Sequence, residues 1–191
     1  MNTRILLSNT FQGFNQLYTQ LINENFHISH QTSVKRNMET YVLQKHDTYT
    51  LLNLKLTILT LQRIFKVLTL LKQNKGKILF IGHSYNKIIN KIIRTTALST
   101  NQLYYNFKLE NLNYALLSEN IKKLNPDLII AFSSTNALPV LKIANTYQIP
   151  TIGISDINSD VNFLTYSIIG SENSYRHIYY LCTLFNQILI K

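Results

Sequence analysis

Five short segments with continuous apolar centres punctuate the second part of the chain: KILFIG (Lys77–Gly82), QLYYNF (Gln102–Phe107), DLIIAF (Asp127–Phe132), TIGIS (Thr151–Ser155) and YSII (Tyr166–Ile169). A strand wetted on one side alternates apolar and polar positions, whereas an uninterrupted run belongs to a strand buried on both faces. Helical spacing of apolar residues fills the intervals at about Asn86–Leu98, Leu112–Leu124, Ala137–Tyr147 and Asn173–Ile190. The rhythm predicts an α/β fold, a three-layer sandwich with a mainly parallel, flavodoxin-like or Rossmann-like sheet flanked by helices. Pro126 and Pro150 stand ahead of two strands, where the preceding residue must leave the helical region. Ser133, Ser134 and Thr135 are expected to cap the third of these helices, and Ser171 the last.

The first part has a different texture. Phe14, Leu17, Tyr18, Leu21 and Ile22 recur at helical spacing and predict a short helix ahead of FHISHQT (Phe26–Thr32), expected to be a turn. Residues Lys35 to Tyr49 are polar and irregular, and are expected to form a loop with short extended pieces. A long helix follows from about Leu51 to Leu71, ended by Gln73-Asn74-Lys75-Gly76 with Gly76 in left-handed geometry. Its apolar density suggests a membrane span, but Lys55, Gln62, Lys66 and Gln73 fall on one side with Arg63 next to them, so the expectation is an amphipathic helix on a core and no membrane. With no repeat or linker, residues 1–191 are expected to form a single domain, with residues 1–50 an extended and helical segment packing on the 51–191 core.

Charge changes the picture more than size does. Nineteen Lys and Arg against nine Asp and Glu leave a net charge of +10 and a pI near 9.7, a field that attracts polyanions, nucleic acid first and an anionic membrane surface second. One cysteine, Cys182, excludes an internal disulfide and a cysteine zinc cluster. The opening residues predict neither a secretory signal nor a transit peptide. The chain favours Asn, Ile, Lys, Leu and Tyr and has no Trp, a bias toward AT-rich codons of the kind found in an organellar genome or a very AT-rich organism.

An open parallel sheet places its crevice at the carboxyl ends of the strands, here the turns Gly82-His83-Ser84, Ser133-Ser134-Thr135 and Ser155-Asp156. None carries a dinucleotide or phosphate-loop glycine pattern, and no nucleophile elbow supports Ser84, His83 and Asp156 as a triad. Asp156 and Asp160 could line a sugar or nucleotide site, the alternative reading, although side chains such as Asp156, Asn158 and Ser159 commonly bond their own turn. His27 and His30 lack a third ligand, so neither a metal nor another cofactor is expected. The basic residues carry the functional reading. Lys87, Lys91 and Arg94 form a helical stripe opposite Ile88, Ile89, Ile92 and Ile93, while Lys35, Arg36, Lys72, Lys75 and Lys77 form a second patch, with Lys108 completing the RNA-binding candidates. Tyr104, Tyr105 and Phe107 fall in a strand expected to be covered, which argues against base stacking there.

Several words of the sequence, in order, resemble one family. PDLIIAF, ANTYQIPTIGISDINSD and IIGSENSYRHIYY are similar to the last third of small-subunit ribosomal protein two, FHISHQT resembles its amino-terminal His-x-Gly-His-x-Thr segment, and KGKILFIGHS its first core strand. LNLKLTILTLQRIFKVL and TTALSTNQLYYN extend the resemblance over nearly the whole chain. It implies a non-enzymatic structural constituent of the small ribosomal subunit, acting in translation, whose partners are small-subunit rRNA and neighbouring ribosomal proteins, with no small-molecule substrate. Ser29 and Val161 depart from the family's glycine and proline, and Leu109 to Asn125 stand where bacterial relatives carry a helical hairpin, which is therefore expected to be absent. The shortened, AT-biased chain points to a mitochondrion, with a plastid as the alternative.

Overall fold

The computed structural model describes residues 11–30, 34–83, 85–106 and 113–190. Its centre is a five-stranded, all-parallel sheet built from β4 (Ile78–Ile81), β5 (Leu103–Tyr105), β6 (Leu128–Ala131), β7 (Thr151–Ser155) and β8 (Tyr166–Ile169), in the order β5-β4-β6-β7-β8. The chain starts at β4, adds β5 on one side, then crosses back to β6, so a topological switch point lies between β4 and β6. This is the flavodoxin-like order. α2 (Leu54–Gln73), α3 (Lys87–Ser99) and α6 (Tyr175–Ile190) cover one face; α4 (Tyr114–Leu124) and α5 (Leu138–Thr146) cover the other. β4 and β6 divide their side chains between two cores: Ile78 and Phe80, like Leu128 and Ile130, face α2, α3 and α6, whereas Leu79 and Ile81, like Ile129 and Ala131, face α4 and α5. A parallel strand buried on both faces needs this arrangement, since neither set of side chains meets water.

The larger core is stiffened by aromatic rings. Phe80 stacks on Phe132 with centroids 6.3 Å apart, and Phe132 meets Phe185 of α6 at 6.1 Å. Leu17 and Leu21 of α1 (Phe11–Asn23) and Phe26 join the same cluster, all fully buried. A single described helix, α4, stands between β5 and β6.

The polar early region is more ordered than its composition predicts. A second, antiparallel sheet forms from β1 (Ile28–His30), β2 (Val42–Lys45) and β3 (Tyr49–Leu52), with β3 central, and a 3-10 helix spans Arg36–Tyr41. Three expectations are corrected here. In FHISHQT, Phe26 and His27 lie in a turn as expected but Ile28–His30 form β1; residues 35–49 hold a 3-10 helix beside the short extended pieces expected; and α2 begins at Leu54 because Leu51 and Leu52 are drawn into β3. Long-range strand pairing supplies backbone partners that local propensity cannot reveal. Met38 and Leu52 then meet Ile157 and Ile169 in a small third core at the carboxyl end of the main sheet.

Caps and edges also differ. The left-handed residue after α2 is Lys75 (φ 54°), not Gly76. Gly76 instead sits in a close approach: a Cβ there would stand 2.8 Å from Leu71 Cδ2, which would have to shift. Ser133 Oγ accepts from the Asn136 amide one turn ahead of α5, whose own cap, Ala137, has no side-chain bond. At α6, Ser174 and not Ser171 accepts from His177 N–H. β5 is an edge strand with Tyr104 and Tyr105 half-buried, so it is not the covered strand expected; Phe107 lies outside the described residues.

Candidate nucleic-acid interface

The carboxyl-end crevice is the first place to look for chemistry in such a sheet. At the switch point, Gly82 gives room for Asn90, whose Oδ1 accepts from His83 N–H at 2.6 Å and from the Tyr104 hydroxyl at 3.2 Å, and whose Nδ2 donates to the His83 carbonyl. A Cβ on Gly82 would meet that Oδ1 at 2.6 Å. The backbone N–H of His83, which a phosphate-binding turn would aim at ligand, is thus consumed by the protein's own amide. His83 is held as firmly. Its Nδ1 accepts from the amides of Tyr85 and Asn86, while Nε2 lies 3.1 Å from Asn136 Nδ2 and the ring bonds the Asn173 side chain. Burial lowers its pKa, against the raising effect of Asn173 and of the Glu172 charge.

Across the crevice, buried Glu172 accepts from Ser134 Oγ at 3.2 Å and Thr135 N–H at 3.3 Å. Asp156 is pushed up to about 6, mainly by burial and then by the Glu172 charge, while the Glu172 N–H and His30 pull the other way. Asp156 and His30 line a polar cavity of about 410 Å³ with Ser29, Asn158, Ser171, Asn173 and Ser174. Asp160 is elsewhere: its Oδ1 accepts from Asn162 N–H, and it lines a separate surface cavity with Lys35, Arg36 and Asn37. The two aspartates of the enzymatic alternative do not share a site. Nor do the two histidines, because His27 faces an apolar groove with Tyr18, Ile22, Leu43 and Leu51. Among the described residues no group of three or more His, Cys, Asp or Glu is placed to hold a metal, and no helix is long and apolar enough to cross a membrane.

The basic candidates separate into three places. Lys87, Lys91 and Arg94 are exposed on the outer side of α3, over Ile89 and Ile93, which are buried; Ile88, expected on the buried side, is 67% exposed and borders the stripe. The expected second patch is divided. Lys35 and Arg36 lie by Ile157 at the carboxyl end of the sheet, whereas exposed Lys75 and Lys77 lie at the amino end of β4. Lys72 is engaged within the fold, its ammonium donating to the Ile188 carbonyl at 3.2 Å near the end of α6, where a cation also favours the helix dipole. Lys108 lies outside the described residues. Neither ion pair among the described residues, Lys123 with Glu119 and Arg176 with Glu24, takes a cation from the stripe.

Sequence reasoning missed exposed aromatics: Tyr85, Tyr175 and Tyr179 are 68%, 64% and 61% exposed. The signal for Tyr175 and Tyr179 was the excess of apolar bulk on α6, where they fall one turn apart on the side away from buried Ile178, Leu181 and Phe185.

The chain matches the family described as Ribosomal protein S2 over residues 21–110 and 105–191, two segments that meet where β5 gives way to the short connection before α4. Among curated relatives, the small ribosomal subunit protein uS2 of Ureaplasma parvum serovar 3 is 25% identical over 186 residues, covering 74% of this chain and 53% of its own. The uS2 proteins of Wigglesworthia glossinidia brevipalpis and Ehrlichia chaffeensis are 23% and 22% identical, over 83% and 90% of this chain and 84% and 74% of theirs. The chain thus spans about half of the Ureaplasma relative and most of the other two. With both matched segments together reaching from the end of α1 to the last residue, and the flavodoxin-like sheet between them, the chain belongs to the ribosomal protein S2 family.

Proposed function

We propose that this chain is a structural constituent of the small ribosomal subunit, without catalytic activity, that binds small-subunit rRNA and neighbouring ribosomal proteins in translation. The observation that carries the reading is the exposed stripe of Lys87, Lys91 and Arg94 in a chain of net charge +10 that belongs to this family. Cations free of acidic partners neutralise phosphates and give affinity without reading sequence. Lys35, Arg36, Lys75, Lys77 and Lys108 add to the field, with Lys72 contributing least because its ammonium is already bonded. The apolar groove of about 390 Å³ beside Tyr18, Ile22 and Leu43 gives a neighbouring protein a surface to pack on. The crevice gives the enzymatic alternative less support, since the His83 N–H and the Ser134 and Thr135 donors are bonded internally and Asp156 and Asp160 line separate cavities. The AT-biased composition and the drift from relatives no more than 25% identical favour a mitochondrial ribosome over a plastid one, although the relatives named are bacterial.

Sedimentation tests the reading. Followed by mass spectrometry, the chain is expected in the intact ribosome peak of a sucrose gradient at high magnesium and in the small-subunit peak after magnesium removal. Recovery among free proteins in both gradients would overturn it, and the organelle that yields the particles decides between mitochondrion and plastid.

A further inference from the structure

Two helices make one surface. Thr96 of α3 meets Cys182 of α6, and Ser99 Oγ donates to Asn186 Oδ1 at 2.9 Å, so the two helices lie side by side and run in the same direction. Carrying these contacts back along both helices sets Tyr179 level with Ile92 and Tyr175 level with Ile88. Other residues of α6 turn the opposite way: Arg176 pairs with Glu24 at 3.1 Å and the Tyr180 hydroxyl donates to Gln20 at 2.9 Å, both toward α1. Tyr175 and Tyr179 therefore stand on the α3 side of the outer surface. Across from them lie exposed Ile88 and Thr95, and beyond these the ammonium groups of Lys87 and Lys91.

Rings so exposed are not part of a core, and among the described residues neither stacks on another ring. Four residues of helical rise separate them by about 6 Å along the axis, near twice the ~3.4 Å spacing of stacked bases, which admits one base between them. A polyanion attracted by Lys87 and Lys91 meets these rings beside its phosphates, and only a strand with unpaired bases has flat apolar faces to offer them. Duplex RNA hides its bases within the stack.

We propose that the α3–α6 face is a single-strand RNA site: Tyr175 and Tyr179 stack on unpaired bases while Lys87 and Lys91 hold the adjoining phosphates. The inference rests on the rRNA-binding reading and deepens it, because it names the form of RNA taken. Base–ring stacking needs no particular sequence and is weakened when the ring is cut to alanine.

The test uses the full chain with an oligoadenylate of about 12 nucleotides and an RNA duplex of similar length. The chain has no Trp, so a Tyr179→Trp variant carries a single indole reporter. Its emission is expected to be quenched on adding the single strand and unchanged with the duplex. Tyr175→Ala with Tyr179→Ala is expected to weaken single-strand binding about 10-fold or more, and the paired Phe variant to keep it within about 2-fold. Both rings are exposed, so circular dichroism of each variant should match the parent. Equal binding by parent and alanine variant, with affinity still lost in the Lys87→Glu, Lys91→Glu, Arg94→Glu variant, would overturn stacking and leave the phosphate reading standing. Displacement of the oligoadenylate by inorganic polyphosphate of equal charge with no loss of potency would overturn it too. Failure of the parent chain to bind either RNA would sink both readings together.

Discussion

The carboxyl-end crevice and the outer face of α3 and α6 differ in where their polar groups are spent. In the crevice, Asn90, His83, Ser133, Ser134, Thr135 and Glu172 bond to one another and to the turns that carry them. On the outer face, Lys87, Lys91, Arg94, Tyr85, Tyr175 and Tyr179 project into solvent. The fold presents a ligand crevice by topology alone, yet most of its best-placed donors are bonded within the protein, with buried Ser155 Oγ an exception. Position in a fold is a prompt to look; the state of the side chains decides.

The sharpest way to break the contrast is to reverse the outer stripe. Lys87→Glu, Lys91→Glu and Arg94→Glu together are expected to lower RNA affinity on the order of 100-fold or more at low salt and to flatten the salt dependence by about 2–3 in slope. The melting temperature should move by no more than about 2 °C, because all three side chains are exposed. Loss of the fold along with the binding would show that the stripe is structural.

The crevice, in contrast, should answer in stability. His177 lies beneath it, stacked on Phe26 with centroids 4.0 Å apart, its Nδ1 accepting from Ser171 N–H and its other nitrogen facing the carbonyls of Glu24 and Asn25. Burial lowers it to about 4. A base depressed in the folded state contributes stability that is full above its unfolded value of 6.5 and is lost as pH falls through the folded one. Denaturant titrations should show about 3 kcal/mol lost between those limits, and His177→Gln should remove that part of the slope. A slope unchanged by the substitution would assign the acid sensitivity to other groups.

The smallest effect belongs to Asp156. Its folded pKa is raised, so protonation stabilises the fold below about 6, and the charged form is a burden above it. Asp156→Asn is therefore expected to raise stability at pH 7 by about 1 kcal/mol, discounted for partial exposure, and to lose the advantage below the ordinary carboxylate range. RNA binding should be unchanged. A loss of binding would make the crevice part of the interface and erase the contrast.

The main sheet was legible because its information is local. Each run from KILFIG to YSII announces a strand by continuous apolar residues, and each intervening helix by its period, so the α/β class and the parallel sheet follow without long-range knowledge. The stripe on α3 was legible for the same reason. The second sheet was not: β1, β2 and β3 are only three or four residues long and hold together because Ile28 pairs with Leu51 and Val42 with Leu52, partners that pattern cannot name.

Sequence by itself determined which segments are buried on both faces and how much positive charge the chain must carry, since burial period and charge are properties of residues in order. Tertiary structure alone decided that Asp156 and Asp160 part company, that Lys35 and Lys75 lie at opposite ends of the sheet, and that the helix carrying Tyr175 and Tyr179 packs against the lysine-bearing helix some ninety residues earlier. Those facts depend on how helices are laid against a sheet, and only the packed chain brings residues so distant in sequence to one surface.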